Sequence, residues 1–308
     1  MNKNQLGLAV AAVLFSSTAF AAGNDWSGIV SASVGNDDNV TLGDDSNVQA
    51  SNEGDNFLDI LATAGSYLKG NRDDGIRVNG TFYNRAYDTQ DDFNFTLAAV
   101  GASYHKKMGD WHGRFGAKYS YLEFGGDPYE SVYDLTAEAR HKLSKTTELR
   151  IRYRYSDINA ESSQFNNLEG DRHQVSVEGR FKAGKNRYRL SYRYETNDRN
   201  DSETTTTYTS SSPVRHTIRA NAKIPLSGKW GSEVDLRWRD SRYKDDNVTT
   251  TSSVRREDDR FKAKLGLNYE YNRNVELYAD YSYTNNDSNI DINEYERNTI
   301  SMGVNYLF

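Results

Sequence analysis

Arginine and lysine recur in this sequence at every second position, in short runs whose intervening residues are apolar or aromatic. Arg150, Arg152 and Arg154 alternate with Leu149, Ile151, Tyr153 and Tyr155. The arrangement returns with Arg180, with Arg187, Arg189 and Arg193, with Arg219, with Arg237 and Arg239, and with Lys262 and Lys264. A guanidinium presents a rigid fork of donors that matches a carboxylate or phosphate, and an ammonium adds a compact point charge. The chemistry within reach of such a set is the binding and guiding of oxyanions. No Ser/His/Asp constellation or paired-carboxylate motif occurs at a specific spacing, so no catalysis is expected.

These side chains need elements that aim them all one way. Strict alternation is the period of a β-strand, in which successive side chains point to opposite faces, whereas a helix would scatter both sets. The same text recurs at Tyr188 to Tyr194, Val234 to Trp238, Phe261 to Tyr269 and Val275 to Tyr281. The pattern predicts strands at about 26-35, 55-68, 74-87, 92-105, 110-124, 129-142, 146-157, 170-183, 186-196, 213-226, 229-243, 258-271, 273-284 and 296-308. That makes about fourteen, within a range of 12-16 set by the uncertainty of strand ends.

Bulk composition decides what the apolar faces meet. With 27% charged residues, a mean hydropathy of −0.85 and no long apolar run after residue 22, helical membrane spans are excluded. A transmembrane barrel tolerates this polarity, because only alternate residues of each strand meet lipid. The 22 tyrosines against 3 prolines suit interfacial girdles and unbroken ladders. Cysteine is absent, which excludes a lipoprotein anchor and a disulfide framework, and a net charge of −6 argues against nucleic acid as a partner. The chain begins as a secretory signal does: Lys3, an apolar run from Leu6 to Phe15, then Ala19-Phe20-Ala21, with cleavage after Ala21 or Ala22. The expected organisation is a signal peptide at 1-21 and one all-β domain at 22-308, a single antiparallel up-and-down transmembrane barrel in a bacterial outer membrane.

The connections agree with a barrel. Gly70-Asn71, Met108-Gly109, Ser144-Lys145, Ala183 to Lys185, Leu226 to Gly228 and Asn272-Arg273 are turn-sized, and between them lie mostly longer connections, at 36-54, 157-169, 197-212, 244-256 and 285-294. Outer-membrane barrels alternate short periplasmic turns with longer external loops in this way. The Ser/Thr-rich loop 197-212 is placed to cover the mouth. Asn36-Asp37-Asp38-Asn39 with Asp44-Asp45 offers oxygen ligands to Ca²⁺ but lacks EF-hand spacing, so a solvated acidic loop is expected. His105, His112, His141, His173 and His216 have no metal-site spacing and are expected at the membrane interfaces. No metal or other cofactor is implied.

If the apolar faces meet lipid, the basic faces line a lumen. Rings or tracks of Arg and Lys select for anions, which implies an aqueous channel for small anionic solutes or acidic oligosaccharides. The same residues could instead pair with lumen acids such as Glu138, Glu148, Glu178, Glu195, Asp235 and Asp280 and fill a narrow lumen. Both readings stand at the level of sequence. No small-residue seam is evident on the lipid face, which favours a monomer. Outer-membrane lipid is the expected surround.

The length, the loop alternation and the closing Gly303-Val304-Asn305-Tyr306-Leu307-Phe308 resemble the small monomeric outer-membrane porins of fourteen strands. A C-terminal aromatic-x-Phe strand also resembles the signal read by the barrel assembly machinery, which implicates Phe308. Asn36-Asp37-Asp38-Asn39-Val40-Thr41 is similar to the YDSNVN segment that opens the barrel of surface lipoprotein assembly modifiers, with Asn36 in place of the tyrosine and Asp38 of the serine. That likeness implies an alternative role, an accessory barrel in export of lipoprotein or polysaccharide, or a structural outer-membrane protein. Those relatives carry periplasmic helical repeats before the barrel, so export would require a partner supplying them.

Overall fold

Alternating side chains leave a strand with one apolar and one polar face, and a sheet of such strands closes on itself when its two edges can pair. A computed structural model describes residues 26–41 and 53–308. Residues 1-21, expected to be a signal peptide, and the Asp44-Asp45 part of the first loop lie outside the described residues. The strands are β1 (Ser27–Asp37), β2 (Asp55–Gly70), β3 (Asp74–Tyr87), β4 (Phe95–Met108), β5 (Trp111–Phe124), β6 (Asp127–Lys142), β7 (Thr147–Ala160), β8 (Gly170–Ala183) and β9 (Asn186–Arg199). They continue with β10 (Ser202–Glu203), β11 (Tyr208–Thr209), β12 (Pro213–Pro225), β13 (Trp230–Val248), β14 (Ser253–Glu270), β15 (Val275–Ser288) and β16 (Tyr295–Leu307). Each long strand pairs antiparallel with its neighbours, and β1 pairs with β16 from Ile29↔Leu307 to Asp37↔Thr299. The result is a closed, all-antiparallel barrel of fourteen strands, with β10 and β11 as an accessory hairpin.

Lipid is the solvent that makes the outer wall reasonable. Val100, Phe115, Leu135, Ile300 and Met302 point outward, and Phe115 is 65% exposed. A soluble monomer rarely carries such a band, whereas a membrane barrel requires one. Tyrosine and histidine edge it: Tyr153 is hydrogen bonded to His173 at 2.7 Å, Tyr192 to His216 at 2.8 Å, and His141 stacks on Trp111. His105 departs from the interfacial expectation. It is buried on the inner face beside Ser103 and Tyr67, because it follows the parity of Ser103 and Arg77.

Two connections differ from the sequence reading. Residues 244-256 are mostly strand, since β13 and β14 pair beyond the wall, through a register shift between Arg242 and Asp246, to a tight turn at Thr249–Ser252. Their Asp, Asn, Ser and Thr content disguises the extension. The loop after β9 adds to the same sheet, with β10 and β11 paired and Tyr208 opposite Val248 on β13, and so builds the wall upward.

The first loop departs further. Asp37 is fully buried and accepts from Arg297 Nε at 2.8 Å and from Tyr87 Oη at 3.0 Å. Asp38 accepts from the backbone N and Nδ2 of Asn298, and Asn39 Nδ2 donates to the carbonyl of Glu296 at 2.8 Å. Val40 packs with Phe57 and Tyr87. The segment read as a solvated acidic loop is therefore a clasp that ties β1 to β16 and β3. Opposite charge and burial drive it, where the sequence showed only a run of acids.

At the other end of the same seam, Gly28 N donates to the carbonyl of Phe308 at 3.0 Å and Phe308 N to that of Gly28 at 3.2 Å. A Cβ at residue 28 would run into the carbonyl oxygen of Thr63 and lie 2.6 Å from the Phe308 ring, so the close approach of the β2 backbone is what requires glycine there. On the outer wall, Ala62, Ala64, Gly80, Ala98, Ala102 and Ala117 line an apolar groove of about 880 Å³ walled by Phe82, Tyr119 and Tyr133. This small-residue seam runs across strands, a few residues from each, and is invisible along the sequence.

Candidate functional site in the barrel lumen

Register decides where the basic side chains gather. One row of paired positions runs Glu138, Arg152, Ser176, Arg193, Thr217, Arg239 and Arg260 across β6 to β14. The adjacent row runs Ser191, Arg219, Arg237, Lys262, Thr284 and Arg297 across β9 to β16. All share the inward parity, so the antiparallel meander converts alternate arginines on separate strands into a belt around the lumen.

The twelve residues singled out in the sequence divide evenly. Arg150, Arg152, Arg180, Arg189, Arg219 and Lys264 have carboxylate partners. Glu138, whose side chain is 3% exposed, accepts from Arg152 Nε at 2.7 Å and lies 3.5 Å from Arg140, 3.6 Å from Arg150 and 3.9 Å from Arg114. Glu178 lies 2.6 Å from Arg180, 3.7 Å from Arg189 and 3.8 Å from Arg150. Asp235 accepts from Arg219 at 2.7 Å, and Asp280 pairs with Lys264 at 2.8 Å. Along β5 to β8 the lumen is thus a crowded wall in which several arginines share each of a few carboxylates.

Arg154, Arg187, Arg193, Arg237, Arg239 and Lys262 form no ion pair or side-chain hydrogen bond among the described residues. The Nε donors of Arg154 and Arg239 are buried without a partner. A buried charge-bearing donor is costly to leave unmet, so these groups are open to water or to a mobile anion. Acids are numerous in the lumen, but the barrel pairs them with only half of these twelve cations.

Space is distributed the other way. A cavity of about 690 Å³ opens near the short turns, lined by Arg187, Lys223, Lys264, Glu233 and Tyr278 among others. It shares Ser31, Leu61, Lys264, Tyr278 and Asp280 with a second cavity of about 330 Å³ further in. The open side is the wall of β14 to β16 and β1 to β3, across from the crowded arginines. Sequence reading missed Arg85 and Arg297 on that side, because each is an isolated cation on its strand and only register brings them together. No group of acidic or histidine residues able to hold a metal occurs among the described residues.

Residues 193–308 match the model of a family described as "Putative beta-barrel porin 2". No curated protein matches the chain. Among solved structures, an anion-selective porin from Comamonas acidovorans aligns at a TM-score of 0.52 with 9% identity, covering 92% of this chain and 98% of its own. A bacterial polysaccharide outer membrane secretin aligns at 0.47 with 12% identity, covering 91% and 98%. OccAB3 of Acinetobacter baumannii aligns at 0.47 with 10% identity, covering 92% and 99%. At 9% identity the likeness to the Comamonas porin speaks for the fold alone. The chain is an outer-membrane β-barrel with the porin fold, and its C-terminal part carries a porin family's sequence pattern.

Proposed function

We propose that the barrel is a passive channel for small hydrophilic anions. The observation that carries the reading is the set of six inward cations, Arg154, Arg187, Arg193, Arg237, Arg239 and Lys262, none of which is in ion-pair contact with a carboxylate among the described residues. Fixed charge of one sign in a low-dielectric conduit concentrates mobile ions of the other sign. The anion selectivity named for the Comamonas porin is compatible with this role. Removal of the signal at 1-21 and delivery through Phe308 to the assembly machinery belong to the same proposal, whereas the small-residue groove on the outer wall removes the ground for expecting a monomer.

The test is single-channel recording of the refolded mature barrel under a salt gradient. The wild type is expected to show steady conductance and a reversal potential of anion sign. In an Arg154→Ser/Arg193→Ser/Arg239→Ser variant the anion preference falls by about half or more, as the unpaired part of the belt is removed. An Arg152→Ser variant changes it little, since Glu138 keeps three other arginines. A folded barrel without conductance would overturn the channel reading and favour the accessory role in export.

A further inference from the structure

We propose that the inner cavity between β14–β16 and β1–β3 is a discrete oxyanion-binding subsite, in which Lys262 supplies the free charge and a ring of hydroxyls supplies the remaining donors. This rests on the channel reading and deepens it, because it places a binding step on the wall opposite the arginine runs. The cavity measures about 330 Å³, within the size range of small-ligand sites.

Its lining is unusual in what it leaves unused. Ser33, Ser282, Thr284, Thr299 and Ser301 face it, and none makes a side-chain hydrogen bond among the described residues. Hydroxyls on neighbouring inner-face strands commonly bond one another or a facing acid, as Ser156 does with Asp134 and Ser288 with Asp258. Here five converge on open space.

The charges around the cavity are sorted. Arg85 is pinned, stacked 3.8 Å above the Phe57 ring and bound to Asp59 through Nε and Nη2 at 2.8 and 2.7 Å. Arg297 is held by Asp37, and Lys264 by Asp280 at 2.8 Å. Lys262 alone among these cations has no carboxylate, and the charged groups acting on it are Arg237, Arg297, Lys264 and Arg85, all positive. A half-buried ammonium among like charges, with unpaired O–H donors within the same cavity, is complementary to a compact anion bearing several acceptor oxygens. Phosphate and carboxylate groups share that chemistry. Tyr278 forms the floor. Its ring lies across Gly303, where a Cβ would sit 2.8 Å from it, and its hydroxyl is 3.1 Å from Ser31 Oγ.

The experiment uses the full mature barrel in a planar bilayer with chloride as the current carrier and inorganic phosphate, then acetate, as added blocker. Phosphate is expected to reduce chloride current saturably. Lys262→Met, which keeps the stem and removes the charge, raises the half-blocking concentration about ten-fold, and Thr284→Val raises it by a smaller factor. Lys145→Met, which removes a charge from an exposed turn, leaves it unchanged. Block by acetate as well as phosphate identifies a general oxyanion site, and block by phosphate alone a site for multi-oxygen anions. Anion-selective current that phosphate does not block, or block that Lys262→Met leaves intact, overturns the subsite while the channel reading stands. If the barrel passes no current, the channel reading fails separately. The subsite then stands or falls on whether phosphate raises the unfolding temperature of the wild type but not of Lys262→Met.

Discussion

Glu138 is the residue at which one neutral substitution moves the most charge. Its carboxylate is the shared counter-ion of Arg114, Arg140, Arg150 and Arg152, and its side chain is 3% exposed. Removing one member of a buried ionic cluster leaves the others uncompensated, which costs about 3–5 kcal/mol, whereas the intact cluster contributes little net stability. Glu138→Gln is therefore expected to lower the free energy of unfolding by about 3 kcal/mol, read by urea titration of tryptophan fluorescence. The same variant should shift the reversal potential further toward anion preference, because Arg114, Arg140 and Arg152 lose their carboxylate and Arg150 keeps only Glu148 and Glu178. Lower stability with unchanged selectivity would mean that the β5–β8 wall does not face the ion path. The sequence marks Glu138 as a lumen acid but not as a hub, since its four partners lie on three strands and only register brings them together.

At the scale of elements, the decisive contact is the seam between β1 and β16, which is clasped at both ends by different chemistry. The Gly28–Phe308 end is a reciprocal pair of backbone hydrogen bonds, and the Asp37 cluster is ionic. Asp37→Asn keeps the shape and removes the charge that holds Arg297 and Arg85. It should weaken the barrel by about 3 kcal/mol, seen as a lower temperature at which the folded band is lost on heated SDS gels. Asp38→Asn should cost less, because the Asp38 bonds to Asn298 are exposed. Equal losses would show that the seam depends on hydrogen bonding and not on the buried charge. The fourteen long strands were legible because alternation of the Arg150–Tyr155 kind reports directly on two faces in two solvents. The Asp37 clasp was not, because Asn36-Asp37-Asp38-Asn39 has the composition of a solvated loop and its partners, Tyr87 and Arg297, lie far off in sequence. The β13–β14 extension was missed for the opposite reason: beyond the membrane both of its faces meet water, so its strands lose the alternation that marks the others.

The whole molecule sets two unlike walls against each other, one where arginines crowd around shared acids along β5 to β8 and one where open volume meets unpaired charge along β13 to β3. If selectivity comes from that fixed charge and not from a narrow sieve, its reach is limited by the mobile ions themselves. The screening length is about 10 Å at 0.1 M salt and about 3 Å at 1 M. Cavities of about 690 and 330 Å³ have radii of roughly 4 to 6 Å, between those two lengths. Anion preference, measured at a constant ratio of salt across the bilayer, should therefore decline steadily as the mean concentration rises from 0.1 to 1 M. Phosphate block at Lys262 should persist over that range far better, because contact between an ammonium and an oxyanion is not interposed by the ionic atmosphere. A preference that holds constant with salt would place the filter in the shape of the lumen, and the six unpaired cations would then serve the fold and not the flow.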